Sequence, residues 1–182
     1  MRWNAALMII IQDLHIRHPG VSKGIACSYY EATQVCLDRH HLPPAAFVIE
    51  RNSQNLEASI KWDSPDAQIK RAWANDIDAT EAAAYCLALA AIEATDGMVA
   101  VGRAETMTGA DYYLAGAAAS TDDLEGCYRL EVSGIDKGDR DAVDRRLRIK
   151  LAQAARGRSN LPAIASIVAF SAKLVVTENL LQ

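Results

Sequence analysis

The chain has 182 residues, of which 51% are apolar and 23% charged, and its formal net charge is −4 at pH 7. That length is enough for one domain with a substantial core and short for two, and the composition is ordinary for a soluble globular protein. The mild net charge favours no class of partner, and four cysteines without a C-x-x-C pair predict small buried side chains in a reducing cytosol, not a disulfide framework or a zinc site.

The N-terminal segment is apolar over residues 5–11, which is too short to cross a bilayer because a transmembrane helix needs about 20 residues. Charged residues follow it closely, without a signal-peptide cleavage site. We therefore expect a cytoplasmic protein that does not contact a membrane. We interpret residues 1–28 as an N-terminal extension with a docking helix, for a second copy of the chain in a homodimer or for a partner subunit. Residues 29–182 are then a single α/β domain.

The elements before residue 78 are predicted from helix breakers and from β-rich runs. Pro19 and Gly20 should end any first helix near residue 18, and a short helix over 29–41 should end before Pro43. The runs "AAFVIER" and "LEASIKWD" flank the polar stretch "NSQN", which predicts a β-hairpin.

The clearest helix of the sequence covers residues 78–97. Asp78 and Glu81 have the spacing of a capping box, and Gly97 predicts the end of the helix. The segment is apolar nearly all round, so we expect it to be buried on most sides.

The second half of the chain predicts a sheet with one crossover. Strands are expected over 98–104, 110–115 and 128–134, then a helix over 140–155 and a strand over 162–170. The first three strands can form an antiparallel meander, and the helix can return the last strand alongside them. The last strand is continuously apolar, which indicates a central strand covered on both faces.

Two of these strands each contain a carboxylate, Asp111 in "TGADYYLAG" and Glu131 in "YRLEVSG". A buried unpaired carboxylate is costly, so such a group is normally hydrogen-bonded, paired or bound to a cation. On neighbouring strands the two acids can converge on one Mg²⁺, which prefers carboxylate and water oxygens. Alternatively, they point outward, or they pair with Arg103 and Arg129.

Charge is distributed unevenly along the chain. Residues 76–125 contain ten acidic residues against one basic residue, whereas residues 145–158 contain six basic residues and no acidic one. The basic helix can meet nucleic-acid phosphates through Arg145, Arg148 and Arg156, without reading sequence. The alternative is a solvated face that complements the acidic stretch before it.

The order helix, three strands, helix, strand, with an Asp in the second strand and a Glu in the third, resembles the core of the PD-(D/E)xK superfamily, which is the restriction-endonuclease-like fold. The stretch from "DATEAAAYCLALAAI" through "TGADYYL" and "YRLEVSG" to "LPAIASIVAF" also resembles a family of uncharacterised bacterial proteins. Those proteins carry motifs of the form TGxDYWL and ARLEVSG in the same order. The resemblance covers residues 29–171, with the fold core at 78–171.

The resemblance implies roles for several residues. Asp111 would be the first metal ligand and Glu131 the second, with Mg²⁺ or Mn²⁺ as cofactor. Glu81 would match the acid that orients a metal-bound water in many members, although a glutamate in a capping box needs no catalytic reason.

The lysine that the superfamily carries two residues after the glutamate is absent, and Ser133 stands there. A serine hydroxyl cannot carry the positive charge that the lysine brings to the reacting phosphate. Ser133 therefore enters the catalytic set by position only, and Ser133 with Gly134 can instead mark a bulge or a tight strand exit. The basic or polar groups that could replace the lysine are Arg129, Lys137, Lys150 and Gln153.

The function that these expectations indicate is a metal-dependent nuclease acting on DNA, or on RNA, in bacterial or phage defence or in mobile-element biology. The alternative is a non-catalytic subunit with the same fold that binds nucleic acid or protein. The missing lysine favours the subunit, and the retained pair Asp111 and Glu131 favours the enzyme.

Overall fold

The computed structural model describes residues 7–118, 124–157 and 159–180. In these ranges the chain forms five helices, which are α1 (Leu14–Arg17), α2 (Lys23–His40), α3 (Ala67–Ala72), α4 (Asp76–Asp96) and α5 (Arg140–Arg156). It also forms eight strands, which are β1 (Leu7–Ile9), β2 (Ala45–Arg51), β3 (Gln54–Ile60), β4 (Met98–Arg103), β5 (Tyr112–Gly116), β6 (Tyr128–Ile135), β7 (Ala163–Ala169) and β8 (Leu174–Asn179).

All eight strands belong to one mixed sheet with the order β1-β3-β2-β8-β7-β6-β5-β4. Strands β4, β5 and β6 form the antiparallel meander that the sequence predicts, and β6 pairs in parallel with β7 after the crossover helix α5. All seven residues of β7 are buried between β6 and β8, which confirms the central strand.

The first half of the chain completes the same sheet. The hairpin β2–β3 is confirmed, and its turn residues Asn52 and Ser53 both have left-handed backbone angles. Strand β8, which the sequence did not predict, pairs in parallel with β2 and antiparallel with β7. It therefore joins the hairpin to the central strands.

Helices cover the sheet on both faces. Ile164 and Val168 of β7 belong to the large core that contains the buried side of α4, whereas Ile167 and Ala169 pack with Val143 of α5. Because alternate residues of a strand point to opposite faces, α4 and α5 lie on opposite sides of the sheet. Helix α2 packs against α4, so α4 is buried on most sides as expected.

Three expectations about the first half were wrong. Residues Leu7–Ile9 form a strand that pairs in parallel with β3 and are not part of a docking helix, since a short apolar run suits either element and here pairs with the sheet. Helix α2 is much longer than the predicted 29–41, since the side chain of Ser22 caps its start. Helix α3 occupies a segment where no helix was predicted.

Helix α4 begins earlier than expected. The side chain of Asn75 accepts hydrogen bonds from the backbone N–H groups of Ile77 and Asp78, so Asn75 is the N-cap and the predicted capping box of Asp78 and Glu81 does not form. The predicted end is confirmed, because Gly97 adopts a left-handed conformation and its N–H bonds to the carbonyl of Glu93.

Gly134 sets the distance between α4 and β6. A Cβ at this position would lie 2.6 Å from the carbonyl oxygen and 2.7 Å from Cγ2 of Thr80. The pairing of β6 with β7 continues through Gly134 to Ile135, so the predicted bulge or strand exit is absent from β6. The glycine instead allows close contact between helix and strand.

Two compositional expectations can be compared with the described residues. Cys36, Cys86 and Cys127 are buried and Cys27 is exposed. In the part of the chain that the structure describes, no helix combines the length and the apolar character that crossing a bilayer requires.

Candidate functional site

A cleft of about 1150 Å³ opens where β5 and β6 separate. Strand β5 pairs with β6 at only three positions, from Tyr112 opposite Leu130 to Leu114 opposite Tyr128. Strand β6 continues to Ile135, so its second half faces the cleft instead of a neighbouring strand on that side. Helix α4 contributes one wall and α5 the other.

Asp111 lies where β5 and β6 separate. It precedes β5 directly, whereas the sequence predicted it inside the strand. Its Oδ2 accepts a hydrogen bond of 2.8 Å from the backbone N–H of Val132, and its Oδ1 accepts one of 2.9 Å from the hydroxyl of Tyr85. The carboxylate thus satisfies a backbone donor of β6 that has lost its strand partner, which gives the acid a structural reason to lie there.

Arg103 covers the outer side of Asp111. One guanidinium nitrogen lies 3.6 Å from Oδ1 of Asp111 and donates a hydrogen bond of 3.2 Å to the hydroxyl of Tyr85. The guanidinium carbon lies 4.5 Å from the ring centroid of Tyr85 and 4.7 Å from that of Tyr112, so the cation is also held by two aromatic faces. Burial and the charge of Asp111 raise the pKa of Tyr85, which keeps its hydroxyl protonated as a donor.

Glu131 is the second acid of the cleft, and it is 3% exposed. Its Oε1 accepts hydrogen bonds of 2.6 Å from Nζ of Lys150 and 2.7 Å from Nε2 of Gln153, both on α5. Within the described ranges no hydrogen bond reaches Oε2. Burial raises the pKa of Glu131, the bond from Lys150 partly offsets this, and the charge of Asp111 raises the pKa further.

The basic group beside Glu131 therefore comes from α5 and not from β6. Ser133, at the position of the missing lysine, accepts a hydrogen bond of 2.8 Å from Arg146. Lys150 and Gln153, two of the four sequence candidates for the replacement, both contact the acid. Their contact with Glu131 depends on how α5 is rotated about its axis against β6, because this rotation places both side chains over the strand.

Glu81 lines the α4 wall of the cleft and is exposed. Its Oε1 lies 3.4 Å from the hydroxyl of Tyr85, which also donates to Asp111. Since Asn75 caps the helix, the capping explanation for Glu81 no longer applies. Tyr85 itself was not predicted as a site residue, although its position four residues after Glu81 places both on one helix face.

The remaining predicted residues lie in three different places. Lys137 is exposed and lines the cleft. Arg145 and Arg148 are exposed on the outer side of α5, beside the cleft. Arg129 is only 4% exposed and lies away from the cleft lining, so the structure does not bring it together with the acids.

Arg129 connects three chain segments inside the protein. Its guanidinium donates hydrogen bonds to the backbone carbonyls of Leu161, Thr108 and Ala154. The last of these is a C-terminal carbonyl of α5, where a cation is favourable. In this conformation the guanidinium is engaged with backbone and is not presented to a phosphate.

The donor chemistry of the cleft fits a hard divalent cation. Asp111 and Glu131 are carboxylates, which suit Mg²⁺ when water fills the other coordination positions. Among the residues that the structure describes, no group of three or more His, Cys, Asp or Glu side chains is placed to hold a metal ion. Any such ion would thus depend on these two acids and on water.

Comparison with known proteins adds no relative to this description. No protein-family model, no curated protein and no solved structure matches the chain. The function is therefore inferred from the residues of the cleft.

Proposed function

We propose that the protein is a metal-dependent nuclease that hydrolyses phosphodiester bonds in DNA or RNA, with a restriction-endonuclease-like core. The observation that carries the proposal is the grouping of Asp111, Glu131, Lys150 and Gln153 at the fork between β5 and β6, with Glu81 on the facing wall. Acid, cation and amide together in one open cleft are the groups that phosphodiester hydrolysis requires.

The order of elements supports the fold part of the proposal. Helix α4, the meander β4–β5–β6, helix α5 and the parallel strand β7 follow one another as the resemblance implies. Asp111 lies immediately before β5, and Glu131 lies within the neighbouring strand β6 of this unit.

In the proposed reaction Asp111 and Glu131 would hold Mg²⁺ or Mn²⁺, and the ion would supply a Lewis acid for the phosphate and for an attacking water molecule. Lys150 supplies the positive charge that Ser133 cannot, and it acts on the charge that develops at the phosphate. Gln153 orients the carboxylate of Glu131. Because a metal ligand must be ionised, protonation of Glu131, whose pKa is raised by burial, would oppose metal binding as the pH falls.

A non-catalytic binding subunit is the second candidate, and one observation favours it. Lys150 already pairs with Glu131 and Arg146 bonds to Ser133, so the basic groups nearest Glu131 and Ser133 have partners without a metal ion. Such a subunit would bind nucleic acid and leave it intact.

The test is cleavage of supercoiled plasmid, single-stranded DNA and RNA with Mg²⁺ or Mn²⁺, using the wild type and the isosteric variants Asp111→Asn and Glu131→Gln. We expect metal-dependent cleavage that each variant reduces by at least about 100-fold, since each removes a charged metal ligand. The exposed acids Glu57 and Asp141 supply control variants, Glu57→Gln and Asp141→Asn, which should cleave like the wild type. Cleavage that survives in Asp111→Asn would refute the proposal, and binding without cleavage by the wild type would establish the subunit.

A further inference from the structure

The outer side of α5 forms a second concave surface, which we call the α5 groove. It has a volume of about 560 Å³ and is lined by Arg145, Arg148, Ile149, Ala152, Gln153 and Arg156. Arg145, Ile149, Ala152 and Arg156 follow one another at helical spacing, so they form one stripe along the helix. Ile149, which is 60% exposed, supplies apolar surface between the cations.

The groove continues into the cleft. Gln153 and Arg156 line both of them, and Gln153 also donates the hydrogen bond to Glu131. A chain molecule bound at Glu131 can therefore pass over α5 without leaving the protein surface.

The arginines of the groove are available for a ligand. Within the described ranges, neither Arg145, Arg148 nor Arg156 forms an ion pair or a side-chain hydrogen bond, whereas Arg140 in the first turn of the same helix pairs with Glu50 and Asp144. The cations of the groove thus face outward and form no ion pair within the described part of the chain, although Asp141 and Asp144 lie one helical turn before Arg145 and Arg148.

The two walls of the cleft carry opposite charge. The α4 wall presents Glu81 and also Asp76, which pairs with Arg39. The α5 wall presents Arg146 and Arg156 and also Lys150, which pairs with Glu131. A polyanion is repelled by the first wall and attracted by the second. It should therefore leave the cleft over α5.

We propose that the α5 groove is a subsite for the nucleotides that flank the reacting phosphodiester on one side. This inference rests on the proposed nucleic-acid substrate. Arg145, Arg148 and Arg156 bind backbone phosphates, and Ile149 packs against a sugar or base. Eleven residues of helix separate the outermost arginines, or about 16 Å at about 1.5 Å per residue. At about 3.4 Å per nucleotide in each strand of B-form DNA, this corresponds to about five nucleotides.

The test separates the groove from the cleft by substrate size. Binding of fluorescein-labelled 20-nucleotide single strands and 20-base-pair duplexes is measured in EDTA, where no cleavage occurs, at several salt concentrations. The variant is Arg145→Ser/Arg148→Ser. Arg71→Ser/Lys61→Ser removes two exposed cations elsewhere and is the matched control. Hydrolysis of bis(p-nitrophenyl) phosphate with Mg²⁺ or Mn²⁺, a diester too small to reach the groove, reports on the cleft alone.

We expect the groove variant to bind both probes roughly tenfold more weakly than the control variant does. Its plot of log affinity against log salt should be shallower by about 1.4 for the single strand and about 1.8 for the duplex, because two phosphate contacts are lost. Its hydrolysis of the small diester should equal that of the wild type. Equal affinity and slope in the groove and control variants would refute the subsite, as would a wild type that binds neither probe. If the wild type did not hydrolyse the small diester while the affinity difference remained, the nuclease would be refuted and the α5 groove would be a nucleic-acid-binding surface without a reaction beside it.

Discussion

The carboxyl group of Glu131 loses its proton inside the protein at a cost that Lys150 only partly offsets. It is 3% exposed, it lies near the charge of Asp111, and its pKa is raised above the ordinary value of 4.5. A raised pKa means that the folded chain binds this proton more tightly than the unfolded chain does. The resulting stabilisation is complete below the unfolded pKa and is lost as the pH rises through the folded value.

This linkage predicts a pH-dependent effect of Glu131→Gln. The amide does not titrate, so the variant lacks the loss that the wild type suffers on raising the pH. The free energy of unfolding of the variant minus that of the wild type should therefore become more positive from about pH 4.5 to neutral pH, with a slope of at most about 1.4 kcal/mol per pH unit. Urea unfolding at a series of pH values measures the difference.

The control for this measurement is Glu57→Gln, which removes one carboxylate at an exposed position of β3. The difference between this variant and the wild type should change little over the same pH range. If the difference in the free energy of unfolding between Glu131→Gln and the wild type stayed constant or became more negative as the pH rises, the pKa of Glu131 would not be raised in the folded protein.

At the level of single residues, the sequence could identify the acids but not their partners. Asp111 and Glu131 were recognisable because a carboxylate in an apolar strand needs a compensating group. Lys150 was one of four candidates for the missing lysine, and choosing it requires the rotation of α5 over β6. Arg129 was misplaced for the same reason, since the three carbonyls that bind it come from different loops and from a helix end.

Among the elements, the packing of α4 on β6 decides the shape of the cleft. The two approach closely at Gly134, where the backbone of Thr80 lies against the strand. Glu81 follows Thr80 directly, and Ala84 and Tyr85 lie about one turn of α4 further on; all three line the cleft. Any increase in this distance therefore also moves Tyr85 away from Asp111.

This contact predicts that Gly134→Ala destabilises the protein. The added methyl group would lie within 2.7 Å of two atoms of Thr80, one of them backbone, so helix and strand must separate. We expect a loss of about 1–3 kcal/mol in the free energy of unfolding, which is typical of overpacking. Urea unfolding at pH 7 measures it.

The matched control is Gly24→Ala in α2, where an added Cβ meets no atom within 4 Å. This substitution should stabilise the protein by up to about 1 kcal/mol, because alanine has the higher helix propensity. If both variants changed stability equally, the close contact at Gly134 would not be the cause.

Element prediction succeeded where local signals agreed and failed where they competed. The end of α4 was correct because Gly97 is the only residue there that adopts a left-handed turn without strain. Its start was wrong because Asn75 and Asp78 are both good caps, and only the fold shows which one the helix uses. Residues Leu7–Ile9 illustrate the ambiguity of a short apolar run, which suits a helix or a strand until its partner is known.

In the whole molecule, β8 and a set of ion pairs join the two halves of the chain. Strand β8 lies between β2 and β7, so the N-terminal hairpin reaches the central strands only through it. Arg140 of α5 pairs with Glu50 of β2, and Arg51 pairs with Asp96 at the end of α4. The edge of β7 that faces away from the cleft is therefore covered by segments from the N-terminal and C-terminal parts of the chain.

This dependence predicts that residues 78–171 do not fold alone, although they contain the proposed nuclease core from the third residue of α4 to the end of β7. The fragment lacks α2, which covers α4, and β8, which pairs with β7, so it exposes buried alanine, leucine and isoleucine side chains and an open strand edge. Exposed apolar surface and free strand edges favour aggregation over folding.

We expect no cooperative urea transition by circular dichroism and large species in sedimentation, whereas the full chain unfolds in one transition. Fragment 78–182 restores β8 but not α2, so it should aggregate as well. A monomeric fragment 78–171 with a cooperative transition would show instead that the cleft unit is an independent domain to which the hairpin, α2 and β8 were added.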